Sequence, residues 1–202
     1  MASLVLAGCA NGTNVGPTSP SSASFSGTVT TFVEVPVAMT NTAGTVGTWN
    51  WAGQSVTTPS GDSLGKIRFN WYTYKDAPTA FGRLYILKQE YLGTPNDVGP
   101  SMPGVVARSE SIIDNQYVFA ADVTLSANTK YWFYTDTQGS FVTSFDTDPY
   151  PGGEFYVSGY PTYPFHKAGA SGRMVGPGVY VPPPAGVFVD ANFTLQATTT
   201  QR

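Results

Sequence analysis

Val187-Phe188-Val189-Asp190-Ala191-Asn192-Phe193-Thr194-Leu195-Gln196-Ala197-Thr198 alternates almost without a break. Val187, Val189, Ala191, Phe193, Leu195 and Ala197 fall on one side of an extended chain, and Phe188, Asp190, Asn192, Thr194, Gln196 and Thr198 on the other. A helix would scatter these side chains around its circumference. The period of two therefore predicts a strand in a sheet with one buried and one wet face.

The same pattern recurs upstream. Ile67, Phe69 and Trp71 alternate with Arg68, Asn70 and Tyr72, and residues 83–91 and 116–123 continue it between Gly and Pro punctuation. Val29, Thr31, Val33, Val35 and Val37 share one face opposite Thr30, Phe32 and Glu34, and Pro36 marks an edge position or a strand end. Twenty-two glycines and sixteen prolines supply turns and starve the chain of helix. The fold class is all-β. Many short strands without a useful helix call for an antiparallel two-sheet β-sandwich, a jelly roll first and an immunoglobulin-like sandwich second.

At 202 residues one core is expected, a single sandwich domain over 27–202. Residues 1–26 read as an extended N-terminal arm or tether, because the run from 9 to 26 is built of small and turn-forming residues that bury nothing. Residues 150–186, rich in Tyr, Pro and Gly, form a long loop system with at most short strands, and loops of that length usually carry function.

Charge and composition narrow the function. A net charge of -3 with no basic run lacks the stripe that nucleic acid requires. No apolar run approaches the ~20 residues that span a bilayer. Aromatics make up 14% of the chain against 11% charged residues, with one histidine and one cysteine, so the surface is better suited to adhering than to transforming. Cys9 has no partner for an internal disulfide.

The single His166 is a possible general base, but no nucleophile or orienting partner accompanies it in the sequence, and it reads as a structural or binding residue. Asp146 and Asp148 sit on one side of an extended segment and are candidate calcium ligands; a solvated turn before Pro149 is the plainer reading. Glu90, Glu110, Glu154 and Asp190 are available for glycoside hydrolysis, which needs two facing carboxyls, yet spacing alone does not pair them. The aromatics lead. Trp49, Trp51, Tyr150, Tyr156, Tyr160 and Tyr163 are candidates for an exposed surface that stacks on sugars or anchors a protein, whereas Trp71, Trp132 and Phe193 are assigned to the core.

Several segments, in order, carry a resemblance: Leu84-Tyr85-Ile86-Leu87-Lys88-Gln89-Glu90-Tyr91-Leu92-Gly93-Thr94-Pro95, Pro103-Gly104, Gln116-Tyr117-Val118-Phe119, Val123-Thr124-Leu125, Tyr131-Trp132-Phe133-Tyr134 and the turn Tyr150-Pro151-Gly152-Gly153. Together they resemble exported bacterial surface β-sandwich domains of the choice-of-anchor, PEP-CTERM-associated type. The resemblance spans roughly residues 54–195. It implies a surface-exposed sandwich similar in layout to carbohydrate-binding modules and brings no catalytic residues with it. The C-terminal apolar anchor of that pattern is absent after Phe193. Leu6-Ala7-Gly8-Cys9 resembles the lipobox of bacterial lipoproteins, which would make Cys9 a lipidation site, although a full signal peptide would need residues upstream of Met1.

Two functions follow as expectations, both non-enzymatic and without a cofactor beyond the candidate calcium. In the first, the chain is a structural or adhesion protein of a large assembly, such as a bacteriophage virion decoration or tail accessory protein. It docks through its arm, forms a homo-oligomer and sits on the virion surface. In the alternative it is a lipid-anchored or secreted carbohydrate-binding module at the bacterial cell surface.

Overall fold

The computed structural model describes residues 30–35, 43–72, 82–145, 150–168, 173–176, 179–181 and 189–200. The arm 1–26, Cys9, Asp146 and Asp148 lie outside them. Two antiparallel sheets pack on one another. The first orders its strands β1 (Thr30–Val35), β16 (Phe193–Thr200), β3 (Ser63–Trp71), β7 (Gln116–Val118) and β6 (Ser111–Ile113), with β8 (Thr124–Leu125) also on β3. The second runs β12 (His166–Lys167), β11 (Phe155–Ser158), β2 (Ala43–Thr57), β9 (Lys130–Thr135), β4 (Leu84–Leu87) and β5 (Val105–Arg108). In it β10 (Gly139–Phe145) also pairs β2, and β15 (Val189–Ala191) pairs β10. A separate hairpin joins β13 (Arg173–Gly176) to β14 (Val179–Val181). Among the described residues the only helical element is the single 3-10 turn Pro95–Asp97.

The stretch that decides the fold is two strands rather than one. Residues 189–191 pair β10 in the second sheet and residues 193–200 pair β1 and β3 in the first, so the chain changes sheets at Asn192. Among the described side chains its apolar side is buried, at Ala191, Phe193, Leu195 and Ala197. Its polar side is not wet as expected, because Asn192, Thr194 and Thr198 are buried too, with the Asn192 carbonyl accepting the Tyr72 amide at 2.8 Å.

Between the sheets Phe69 of β3 stacks on Phe133 of β9 at 4.8 Å and on Phe193 of β16 at 5.4 Å, while Trp71 meets Phe141 of β10 edge-on at 5.3 Å. Each such ring contributes about 1.5–3 kcal/mol by leaving water, and each ring pair roughly 0.5–1.5 more. Trp71 and Phe193 thus fill the core as expected, whereas Trp132, assigned there too, lies partly buried on the outer face of the second sheet, because its strand β9 is aromatic on both faces.

Among the described residues strand β1 is an edge, paired to β16 alone. Its alternation departs from expectation at a bulge: the register slips between Thr31 and Val33, and Phe32 joins Val33 against the core. Strands β9 and β10 run one after the other antiparallel to β2, whose Gly53 faces Tyr134 and whose Asn50 faces Gly139. In the gap the Thr135 hydroxyl stands in for a backbone partner, taking the Ala52 amide at 3.1 Å and lying 3.2 Å from the Ala52 carbonyl.

Candidate functional site

Side chains directly opposite one another on neighbouring strands share a face. The pairs Tyr156 with Lys167, Tyr156 with Gly53, Gly53 with Tyr134 and Tyr134 with Tyr85 therefore form one row across the outer face of the second sheet. In the next row Ser55 and Leu87 flank Trp132, and the Ser55 amide bonds the Glu154 carbonyl at 2.8 Å. The row depends on Gly53 having no side chain. A Cβ there would sit 2.5 Å from Cδ1 of Tyr134, whose ring covers the strand.

This outer face is a second apolar cluster. Tyr85, Leu87, Met102, Tyr134, Tyr156 and Phe165 are buried in it, with Trp51, Tyr91, Val98, Val105 and Trp132 packed around them. Two loops roof it, residues 88–104 and 159–165, joined by the Phe165 amide on the Gly93 carbonyl at 2.9 Å and the Asn96 amide on the Pro161 carbonyl at 3.0 Å. The first loop is tied down to the sheet. Tyr134 Oη donates to the Tyr91 carbonyl at 2.8 Å and accepts the Tyr91 amide at 3.3 Å.

At the rim of the roof lies a charged network. Tyr156 Oη accepts the Trp132 indole N–H at 3.1 Å and stands 2.8 Å from Glu90 Oε1 and 3.0 Å from Glu154 Oε2. A phenol has one proton to give, so two carboxylates on one hydroxyl require a compensating cation. Lys167 supplies it, 2.8 Å from Glu154 Oε1 and 3.5 Å from Glu90 Oε1, and Lys130 adds a longer contact of 3.9 Å to Glu154. Burial, the Glu90 hydrogen bond and the Glu154 charge push the Tyr156 phenol far up, outweighing the opposite pull of the Trp132 bond. Partial burial pushes the Glu154 carboxyl up, but hydrogen bonds from Lys167 and Tyr156 and the charges of both lysines outweigh it and hold the group below its ordinary value. The hydrogen bond to Glu154 raises Lys167 despite its partial desolvation. A carboxyl held ionised in this way is a fixed acceptor and a poor general acid. Fixed acceptors and ammonium donors beside the partly exposed Trp132 ring make a rigid polar and aromatic surface.

Of the aromatic candidates, Trp51 lies on this outer face with its indole N–H on the Asp136 carbonyl at 3.3 Å, packed against the second cluster. Trp49 lies in β2, its side chain outside the described residues. Tyr160 is 45% exposed and stacks obliquely on Tyr163 at 4.9 Å. Tyr156 is a correction. Its ring is 0% exposed, because the two loops roof the outer face on which it lies, and only its hydroxyl reaches the rim. Tyr150 is partly buried and acts as a clasp: its hydroxyl donates to the Thr57 carbonyl at 3.1 Å and accepts the Thr57 amide at 3.0 Å, and its ring meets Phe193 edge-on.

No family model, curated protein or solved structure matches this chain. The site therefore rests on its own geometry. His166 is partly buried beside the rim on β12, and burial pushes its imidazole below the ordinary range, more than its hydrogen bond to Pro164 raises it. Among the described residues no three His, Cys, Asp or Glu side chains gather to hold a metal ion, and no helix is long and apolar enough to cross a membrane. Alternation alone could not find Glu90, Glu154, Lys167 and the partly exposed Trp132. Glu90 and Glu154 come from different connecting segments, and in Tyr131-Trp132-Phe133-Tyr134 both faces of β9 are aromatic.

Proposed function

We propose that this chain is a non-catalytic carbohydrate-binding surface module that holds polysaccharide along the rim of its second sheet. The observation that carries this is the ring of Trp132, partly exposed and fixed through its N–H to Tyr156, bordered by Glu90, Glu154, Lys130 and Lys167. A flat apolar ring takes a sugar face, and ionised groups bond its hydroxyls with charge-assisted bonds, each contributing roughly 1.5–3 kcal/mol. The mutual pairing of the carboxylates with lysine favours binding over acid-base chemistry. The bacterial cell-surface location and the resemblance to choice-of-anchor sandwiches belong to this proposal.

The test is affinity electrophoresis of the whole chain through gels carrying neutral and acidic polysaccharides. Retardation by at least one polymer, reduced in both Trp132→Ala and Lys167→Met with circular dichroism unchanged, supports the proposal. Retardation untouched by both variants refutes it.

A specific observation favours a second role, as a structural subunit of a virion or other assembly. Among the described residues strand β6 is an unpaired sheet edge carrying Ile112 and Ile113, 39% and 45% exposed, and such an edge invites protein contact. Its other support, the arm 1–26, lies outside the described residues, so it ranks second. Self-association lost in Ile112→Lys would favour it.

A further inference from the structure

The roof loop borders an open surface depression of about 450 Å³, within the size range of small-molecule sites. Tyr91 walls one side, Met102 contributes an apolar surface, and Asn96, Asp97 and Ser101 supply the polar groups. The depression is preorganised. Tyr91 Oη donates to the Thr94 carbonyl at 3.0 Å, and its ring is wedged edge-on against Tyr134 and Phe165. The Asp97 and Val98 amides close the turn on the Thr94 and Pro95 carbonyls, and the Met102 amide closes the next on Gly99.

Polar side chains around the depression have spare capacity. Asp97 Oδ2 accepts the Thr94 hydroxyl at 2.7 Å, whereas its second oxygen, the Asn96 side-chain carboxamide and the Ser101 hydroxyl, all on exposed residues, have no hydrogen-bond partner among the described residues. Asp97 is the only charged residue in the lining, with no Lys, Arg or His facing it. That charge disfavours phosphates, uronic acids and sialic acids, because a like charge would meet Asp97 with no cation to offset it. It suits a vicinal diol, whose two hydroxyls can donate to carboxylate oxygen while an aromatic ring packs on the C–H face.

We infer that this depression is a second binding site, specific for a single neutral hexose unit held through a vicinal diol on Asp97. It shares the ligand class of the proposed function but none of the rim's charged residues, so either can fail alone.

The experiment is an amide-resonance titration of the whole chain with methyl glucoside, galactoside and mannoside, and with methyl glucuronide as the charged counterpart. At least one neutral glycoside should shift the resonances of residues 91–103 saturably in the millimolar range. Asp97→Ala should weaken that binding about tenfold, the effect of losing one good hydrogen bond. Thr94→Val, which removes the same internal bond but leaves the carboxylate, should preserve it, and so should Lys167→Met at the rim. The inference is overturned if no neutral glycoside shifts these residues, if the glucuronide binds as well, or if Asp97→Ala binds like the parent. Loss of polysaccharide retention in Lys167→Met with the 91–103 shifts intact separates failure of this site from failure of the rim.

Discussion

Replacing Gly53 by Ala adds one methyl group in the middle of β2, and the structure sets its cost. The new carbon would lie 2.5 Å from Cδ1 and 3.2 Å from Cζ of Tyr134, against an ordinary contact of about 3.5–4.0 Å. The ring has nowhere to go. It is fully buried, meets Phe165 at 4.9 Å, Tyr156 at 5.7 Å and Tyr91 at 5.8 Å, and is anchored by its hydroxyl to the Tyr91 carbonyl. Overpacking of this kind costs about 1–3 kcal/mol, and the roughly 0.5–1 kcal/mol that Ala gains over Gly in a strand offsets only part of it. Gly53 does not occupy the left-handed region, so no backbone term confuses the sign. A net loss of about 1–2 kcal/mol lowers the melting temperature by roughly 2–8 °C for a domain of this size. Urea denaturation followed by tryptophan fluorescence should show a lower midpoint with an unchanged slope. In a Tyr134→Leu background the same Gly53→Ala change should be neutral or slightly stabilising, a coupling of about 1 kcal/mol or more. If Gly53→Ala costs the same in both backgrounds, the ring over Gly53 is not what requires glycine.

Tyr134→Phe strands the Tyr91 amide and carbonyl. It should cost about 1–3 kcal/mol and speed hydrogen exchange across residues 88–104 before it affects the first sheet. The hairpin of β6 and β7 turns on Asp114 and Asn115, both at positive φ, as a two-residue primed turn demands. Asn115→Gly should stabilise by up to about 1 kcal/mol and Asn115→Val destabilise by a similar amount, read as opposite shifts in melting temperature. Stability should also follow pH with identifiable limbs. His166 is held below its ordinary 6.5 and Glu154 below 4.5, so each contributes stability that is complete above those values and lost as pH falls through the lowered ones. Tyr134 and Tyr156 are held above 10.0 and Lys167 above 10.5, so their contributions are complete below pH 10 and lost as pH rises further. The melting temperature should be level between about pH 6.5 and 10, and His166→Gln should remove the limb just below 6.5 while Glu154→Gln removes the lower one.

Alternation sufficed for the apolar positions that β3, β15 and β16 turn toward the main core. Phe69, Trp71, Ala191, Phe193, Leu195 and Ala197 are all buried as their spacing requires, among the described residues β1 is an edge, and residues 150–168 carry only the short strands β11 and β12. It failed where burial depends on what lies above a face. Tyr156, expected as an exposed aromatic within the loop system, lies on the outer face of β11, and the loops 88–104 and 159–165 close over that face. The bulge at Phe32 and the change of sheet at Asn192 each depend on pairing partners distant in the chain, which a local pattern does not contain. For the same reason Glu90 and Glu154 were visible as carboxylates but not as a pair. Only the folded chain brings both to the Tyr156 hydroxyl.

Hydroxyl-radical footprinting of the whole chain with and without a panel of soluble polysaccharides tests the rim most directly. The carbohydrate-binding account predicts that a retained polymer protects Trp132 while leaving Ile112 and Ile113 as reactive as before. Unchanged reactivity at Trp132 with every polymer, together with concentration-dependent protection of Ile112 and Ile113 in protein alone, would contradict it and favour an assembly subunit.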